Sequence, residues 1–166
     1  YKIGKDLKTS PKSKGNAFTY NINVNYPILR NAIRSVLISS NYNLKDMYNE
    51  TTGIETSDKN IETLNASLLF QNVDDYYLGG YMQSIVSHSY GELDLSGAAS
   101  DFSSDQGSSG AKTDGNFSKT NIQFLRIQRI AELIDLQILA SGQISSQNLD
   151  SSEKFTLGGI GGVRAF

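Results

Sequence analysis

The sequence predicts an all-β chain, an antiparallel membrane β-barrel segment of about six strands. Three observations carry that prediction. Several segments alternate apolar and polar residues with a period of two, the connections between them alternate short and long, and the composition favours strands and polar loops over a thick apolar core. Of 166 residues 38% are hydrophobic, and 9 Tyr, 7 Phe and 15 Gly stand beside 2 Pro and no Trp.

The first strand is the clearest. In FTYNINVNY, Phe18, Tyr20, Ile22, Val24 and Tyr26 alternate with Thr19, Asn21, Asn23 and Asn25. The asparagine face suits a wet lumen, and the segment's length is close to the roughly 9 to 11 residues that cross a bilayer at barrel tilt. Pro27 lacks an N–H for a ladder, so a short turn is expected across residues 27–33 before Arg34, Val36 and Ile38 resume the alternation. The polar stretch Asn43 to Asn60 predicts a long loop. Leu64, Ala66, Leu68 and Phe70 form a third strand, closed by Asp74 and Asp75, and Gly79 to Tyr90 a fourth. The Gly- and Ser-rich segment Gly97 to Gly115 has almost nothing to bury and predicts an exposed, mobile loop. Two further strands follow, Lys119 to Ile130 and Leu133 to Ser145, joined across Ala131 and Glu132. In the last, Leu136, Ile138, Ala140 and Ile144 face one way and Gln137, Ser141 and Gln143 the other.

Two rivals stand beside this reading. Ile127, Ile130, Ala131, Ile134 and Ile138 also recur at helical spacing, so residues 125–139 could form one amphipathic helix. A soluble β-rich binding domain would share the alternation. Short turns at one end and long connections at the other favour the barrel, whose two ends face different compartments.

Composition excludes more than it assigns. A formal charge of −2 gives no attraction for a polyanion, so nucleic acid is not an expected partner. With no cysteine there is no disulfide, thiolate metal site or cysteine nucleophile. The longest apolar runs, at Val36 to Ile38 and Ile138 to Ala140, are far short of the roughly 20 residues of a membrane helix. His88 is the single histidine and reads as structural, so no catalytic residue, metal or cofactor is assigned and no enzyme is expected. Asp101 and Asp105 read as solvated carboxylates rather than calcium ligands, and Tyr20, Tyr26, Tyr42, Tyr81 and Tyr90 as candidates for an interfacial girdle.

The segment GQISSQNLDSSEKFTLGGIGGVRAF, Gly142 to Phe166, shifts the balance. Gln143, Leu149, Ser151, Ser152, Glu153, Phe155, Leu157, Gly158, Gly159, Val163, Arg164 and Phe166 fall in the order found in translocators of two-partner secretion, the haemolysin activation and secretion branch of the Omp85 superfamily, which the chain resembles. Tyr26-Pro27-Ile28 with Arg30, and Gly79-Gly80 followed by Gly91, Leu93 and Leu95, resemble earlier parts of the same family. The resemblance runs from about Phe18 to the end of the sequence, and its terminal motif is the specific part. Ala165 departs from the family's usual Gly, and its methyl group restricts φ at the loop tip.

The resemblance implies a 16-stranded barrel preceded by two periplasmic POTRA domains, with a long sixth external loop folded into the lumen. Residues 1–166 would be a partial C-terminal barrel domain covering about strands six to eleven and ending in that loop's motif, the POTRA domains being absent from this sequence. It implies a protein of the bacterial outer membrane, monomeric, in contact with outer-membrane lipid, that exports an unfolded exoprotein of the haemolysin or adhesin type. By the same resemblance Arg164 would dock on an acidic residue of the inner wall, Val163 and Phe166 would pack beside it, and Gly158 and Gly159 would let the loop turn. A barrel-assembly factor of the same superfamily remains the alternative within the family.

Overall fold

A computed structural model of the chain describes residues 13–155. They form six strands, β1 (Ser13–Arg30), β2 (Arg34–Thr51), β3 (Ile54–Asp74), β4 (Gly80–Asp94), β5 (Gly115–Ala131) and β6 (Ile134–Ser145), with one helix, α1 (Ala99–Gln106), between β4 and β5. Every neighbouring pair is antiparallel, and the sheet order is the chain order, β1 to β6. The helical alternative for residues 125–139 is excluded, because both halves lie in paired strands.

The strands are longer than the sequence suggested. β1 and β2 have 18 residues each and β3 has 21, about twice what a tilted strand needs to cross a bilayer. The expected long loop from Asn43 to Asn60 does not exist. Asn43 pairs with Thr63 and Asp46 with Asn60, and the ladder runs on to a turn of two residues, Thr52 and Gly53. Both have positive φ, 57° and 79°, the left-handed conformation that two-residue hairpin turns require. Paired backbone explains why polar residues sit comfortably here, since the ladder satisfies their N–H and C=O groups whatever the side chains are. Pro27 does not end β1 either. It pairs with Leu37, and a bulge between Pro27 and Leu29 absorbs the irregularity on a strand that is at the sheet edge among the described residues.

The remaining short connections are where they were expected. Asn31 Oδ1 accepts from the N–H groups of Ile33 and Arg34 and closes the β1–β2 turn. Asp74 Oδ1 accepts from Tyr76 N at 3.1 Å in the β3–β4 turn. These two turns and the β5–β6 turn lie at one end of the sheet. The Thr52–Gly53 turn, the α1 connection and residues 146–155 lie at the other.

That second end is more ordered than its composition suggests. Within the Gly- and Ser-rich connection α1 forms, and the Asp105 carboxylate accepts from Thr113 N, Thr113 Oγ1 and Asp114 N. Asp101 accepts from Ser57 Oγ at 2.7 Å. Burial raises the Asp105 pKa, but the donors from Thr113 and Asp114 outweigh it and hold the carboxyl below its ordinary value. Both aspartates are thus engaged within the fold, and no cluster of metal-binding side chains occurs among the described residues.

Candidate functional site

Register sorts the side chains onto two faces. On one face Ile22 aligns with Tyr42, Leu64 and Tyr90, and the next rows hold Val24, Tyr26, Ile38, Leu68, Val86 and Ile122. These apolar side chains are exposed, Ile22 by 68% and Ile144 by 72%. An exposed apolar surface this extensive is what a protein presents to lipid rather than to water. The opposite face carries Asn21, Asn23, Asn41, Asn65, Ser67, Ser87, Asn121, Gln123, Ser141 and Gln143, with some aliphatic residues among them. Phe18, Tyr20, Ile22 and Val24 therefore share the lipid-type face, as expected.

The apolar band is not perpendicular to the strands. It is centred on Ile22 in β1 (Phe18 to Tyr26) and on Ala140 in β6 (Leu136 to Ile144). The register carries the row of Ile22 through Tyr42, Leu64, Tyr90 and Ser118 to Ser146. The band thus slips six residues, about 20 Å, across five strand spacings, about 24 Å in total, an inclination of about 40°. Strands in membrane barrels tilt by roughly 35 to 45°. The slant is what a flat lipid slab would select on a tilted sheet.

Polar residues bound the band on the same face. Asp46, Asn60 and Asp94 align in one row, Glu62 and Glu92 in another, and Glu62 accepts from the Tyr42 hydroxyl at 3.3 Å. Toward the short-turn end Arg126 donates through both terminal nitrogens to Asp74, at 2.5 and 2.8 Å, and Arg34 Nε donates to Asn72 at 2.9 Å. Tyr20, Tyr26, Tyr42 and Tyr90 lie on this face, consistent with a girdle. Tyr81 does not. It falls on the opposite face, where its hydroxyl bonds to Gln71 and Gln83, because an odd-numbered residue of β4 must point inward in this register. His88 also lies on the outer face, its Nδ1 3.0 Å from Thr120 Oγ1.

The polar face becomes a built site where residues 146–155 fold onto it at the long-connection end. Leu149 is buried with Ile61, Leu93, Leu95 and Phe117, and Met47 packs against the group. Gly91, paired with both Thr63 and Phe117, makes that packing possible: a Cβ there would lie 2.7 Å from Phe117 Cζ, Thr63 Cγ2 and the Glu62 carbonyl. Around this apolar anchor are three lysines of the same face. Lys45 Nζ lies 2.6 Å from Glu153 Oε1, Lys119 Nζ 2.5 Å from Glu153 Oε2, and Lys59 Nζ 2.8 Å from Asp150 Oδ2. Gln143 of β6 holds the backbone, donating to the Glu153 carbonyl at 3.1 Å and accepting from Phe155 N at 2.9 Å.

Electrostatics follow from this geometry. Burial opposes ionisation of Asp150, but the hydrogen bond from Lys59 and those from the Ser152 N–H and hydroxyl prevail and hold its pKa at about 2. Burial likewise raises the Glu153 pKa, and the hydrogen bonds from Lys119 and Lys45 reverse the shift to a net lowering. Both loop carboxylates are therefore anionic against a cationic patch on the wall.

The residues singled out by the terminal motif divide here. Gln143, Leu149, Ser152, Glu153 and Phe155 are in the site. Gly158, Gly159, Val163, Arg164 and Phe166 lie outside the described residues. Lys45, Lys59, Lys119 and Asp150 were not anticipated as site residues; the available signal was a lysine at an inward position of strands whose other inward residues are almost all uncharged.

A family model described as haemolysin secretion/activation protein ShlB/FhaC/HecB matches residues 4–166. No curated protein and no solved structure matches the chain.

Proposed function

Since the chain belongs to the haemolysin secretion/activation protein ShlB/FhaC/HecB family, a family of outer-membrane protein translocators, we propose that it supplies part of the barrel wall and the inward loop of a two-partner secretion translocator. The observation that carries this reading is the folding of residues 149–153 onto the polar face while the opposite face presents a slanted apolar band. A wall with lipid on one side and a polypeptide segment on the other is the arrangement a protein conduit needs.

In this reading residues 1–166 are a partial barrel domain, the unpaired outer edges of β1 and β6 are closed by strands elsewhere in the same barrel, and POTRA domains deliver the cargo. An open sheet with bare edges would expose unpaired backbone groups to lipid, which closure avoids. The cargo is an unfolded exoprotein, the surrounding phase is outer-membrane lipid, and the barrel works as a monomer. The chemistry is passage rather than catalysis: neutral amide and hydroxyl side chains line the path, and they bind an extended chain weakly enough to let it go. Beyond the docked segment, Arg164 is the residue proposed to pin the loop tip to an acidic wall residue, with Val163, Phe166, Gly158 and Gly159 shaping that tip.

The test is export in cells. Arg164→Ala in the full-length protein is expected to reduce the amount of partner exoprotein in the medium while the barrel stays at its normal level in the outer membrane. Undiminished export at normal levels would remove Arg164 from the mechanism. Loss of outer-membrane assembly of other barrels, with partner export intact, would point to a barrel-assembly factor instead.

A further inference from the structure

We propose that Glu153 is a positioning residue for the inward loop, and that Glu153 with Lys45 and Lys119 forms a latch that must open before a polypeptide can use the lumen. The proposal deepens the translocator reading and rests on it.

The first argument is charge placement. From Thr19 to Ser145, the inward positions of the six strands carry six charged side chains among the described residues, one of which, Arg30, is turned inward by the β1 bulge at the short-turn end. Two of them, Arg129 and Asp135, pair with each other at the short-turn end. The other three are Lys45, Lys59 and Lys119, all at the opposite end and all facing a carboxylate of residues 150–153. Ordinary solubility does not require lysines on this face. Their placement makes sense if the wall is built to hold this segment.

The second argument is reach. Lys45 is on β2 and Lys119 on β5, so Glu153 spans the two intervening strands. The residues of those strands that lie between, Thr63 and Ser89 with Gly91, are small, and Thr63 and Ser89 are buried. Long lysine stems thus converge from both sides over a floor of small side chains. The side chain of Glu153 is only 6% exposed, whereas that of Lys45 is 26% exposed. A carboxylate so enclosed loses its solvation on docking and is held only while both ammoniums are present.

The third argument is where the segment leads. Gln143 fixes the backbone from Glu153 to Phe155, immediately before the stretch that contains Gly158 and Arg164. Glu153 therefore acts through the loop, by setting the point from which the loop continues. When the segment leaves, three ammoniums become unpaired on an otherwise mainly neutral wall. That cost keeps the conduit shut at rest without making the closure permanent.

The experiment uses the full-length protein in planar lipid bilayers, where opening is read as ion conductance and no cargo is needed. Glu153→Gln is expected to raise the open fraction severalfold, and Lys45→Gln with Lys119→Gln to do the same. Exchanging the charges, Glu153→Lys with Lys45→Glu and Lys119→Glu, is expected to return the open fraction toward the starting value. Arg129→Gln, remote from the latch, is the control. A wild-type open fraction for Glu153→Gln in a correctly inserted barrel would overturn the proposal, as would failure of the exchanged charges to restore closure. If Glu153→Gln does not assemble, Lys45→Gln alone gives the same decision, since Lys45 is the more exposed partner. Altered conductance in a protein whose wild type exports no partner would leave the latch standing and remove the translocator reading.

Discussion

Glu153 Oε2 lies 2.5 Å from Lys119 Nζ, tying the segment that follows β6 to the inward face of β5. The same lysine also donates to the Glu153 carbonyl at 3.0 Å, so side chain and backbone are held together. One residue thereby converts a polar strand end into a docking point. Its consequences are open to measurement.

The docked segment should loosen in acid. Asp150 is held at about 2 against an ordinary 3.8, and Glu153 below its ordinary 4.5. A depressed carboxylate contributes stability that is complete above its unfolded pKa and is lost as pH falls through its folded one. Asp101, 4.0 Å from Lys59, and Asp105 are the other acids near this segment. Hydrogen exchange of residues 148–155, corrected for intrinsic rate, is expected to show protection at pH 6 that falls progressively below pH 4. Equal protection at pH 6 and pH 3 would contradict these pairings.

Gly91→Ala should be far more damaging than Gly142→Ala. The new methyl group at position 91 meets backbone and the Phe117 ring at 2.7 Å, while position 142 has open space around it. Overpacking of this kind costs about 1–3 kcal/mol. Denaturant midpoints of the two variants of the folded barrel should separate accordingly, and equal midpoints would mean the Leu149 anchor is looser than described.

The β2–β3 turn carries avoidable strain. Thr52 has φ 57°, unfavourable for a β-branched residue, whereas Asn tolerates it. Thr52→Asn is expected to stabilise by a few tenths of a kcal/mol to about 1 kcal/mol, and Gly53→Val to destabilise by more than that. Thermal unfolding in detergent checks both signs. A fall in stability for Thr52→Asn would argue against a left-handed turn.

Arg126 and Asp74 should be coupled. Their paired hydrogen bonds join β5 to the end of β3 across β4, and Arg126 also donates to Gln128. A double-mutant cycle with Arg126→Ala and Asp74→Ala is expected to give a favourable coupling, the double variant losing less stability than the two single variants summed. Additive effects would show that the two side chains act independently.

Much of the fold was legible because period-two alternation is a direct trace of a two-faced strand. Phe18 to Tyr26 and Leu136 to Ile144 declare their lipid-type faces residue by residue. The Asn43–Asn60 stretch was misread because its alternation is mostly between polar residues once the strand passes beyond the apolar band, so hydrophobic periodicity fades while the ladder continues. The helix at Ala99–Gln106 escaped for a different reason: a Ser-rich segment has little intrinsic helical signal and is held by Asp101 and Asp105 contacts to other elements. The site was half legible. Glu153 and Gln143 were marked by the family motif, but the lysine partners of Glu153 lie 34 to 108 residues away along the chain, and only register brings them together.

The orientation of the wall is best tested by single cysteines, since residues 1–166 contain none. In the full-length protein in outer membranes, Asn21→Cys and Asn23→Cys should react with a water-soluble maleimide, while Ile22→Cys and Val24→Cys should resist it and be quenched by a lipid-confined nitroxide when fluorescently labelled. Alternation of that kind is what a β1 strand between lumen and lipid requires. Uniform reactivity along residues 21–24, or the reverse alternation, would contradict it.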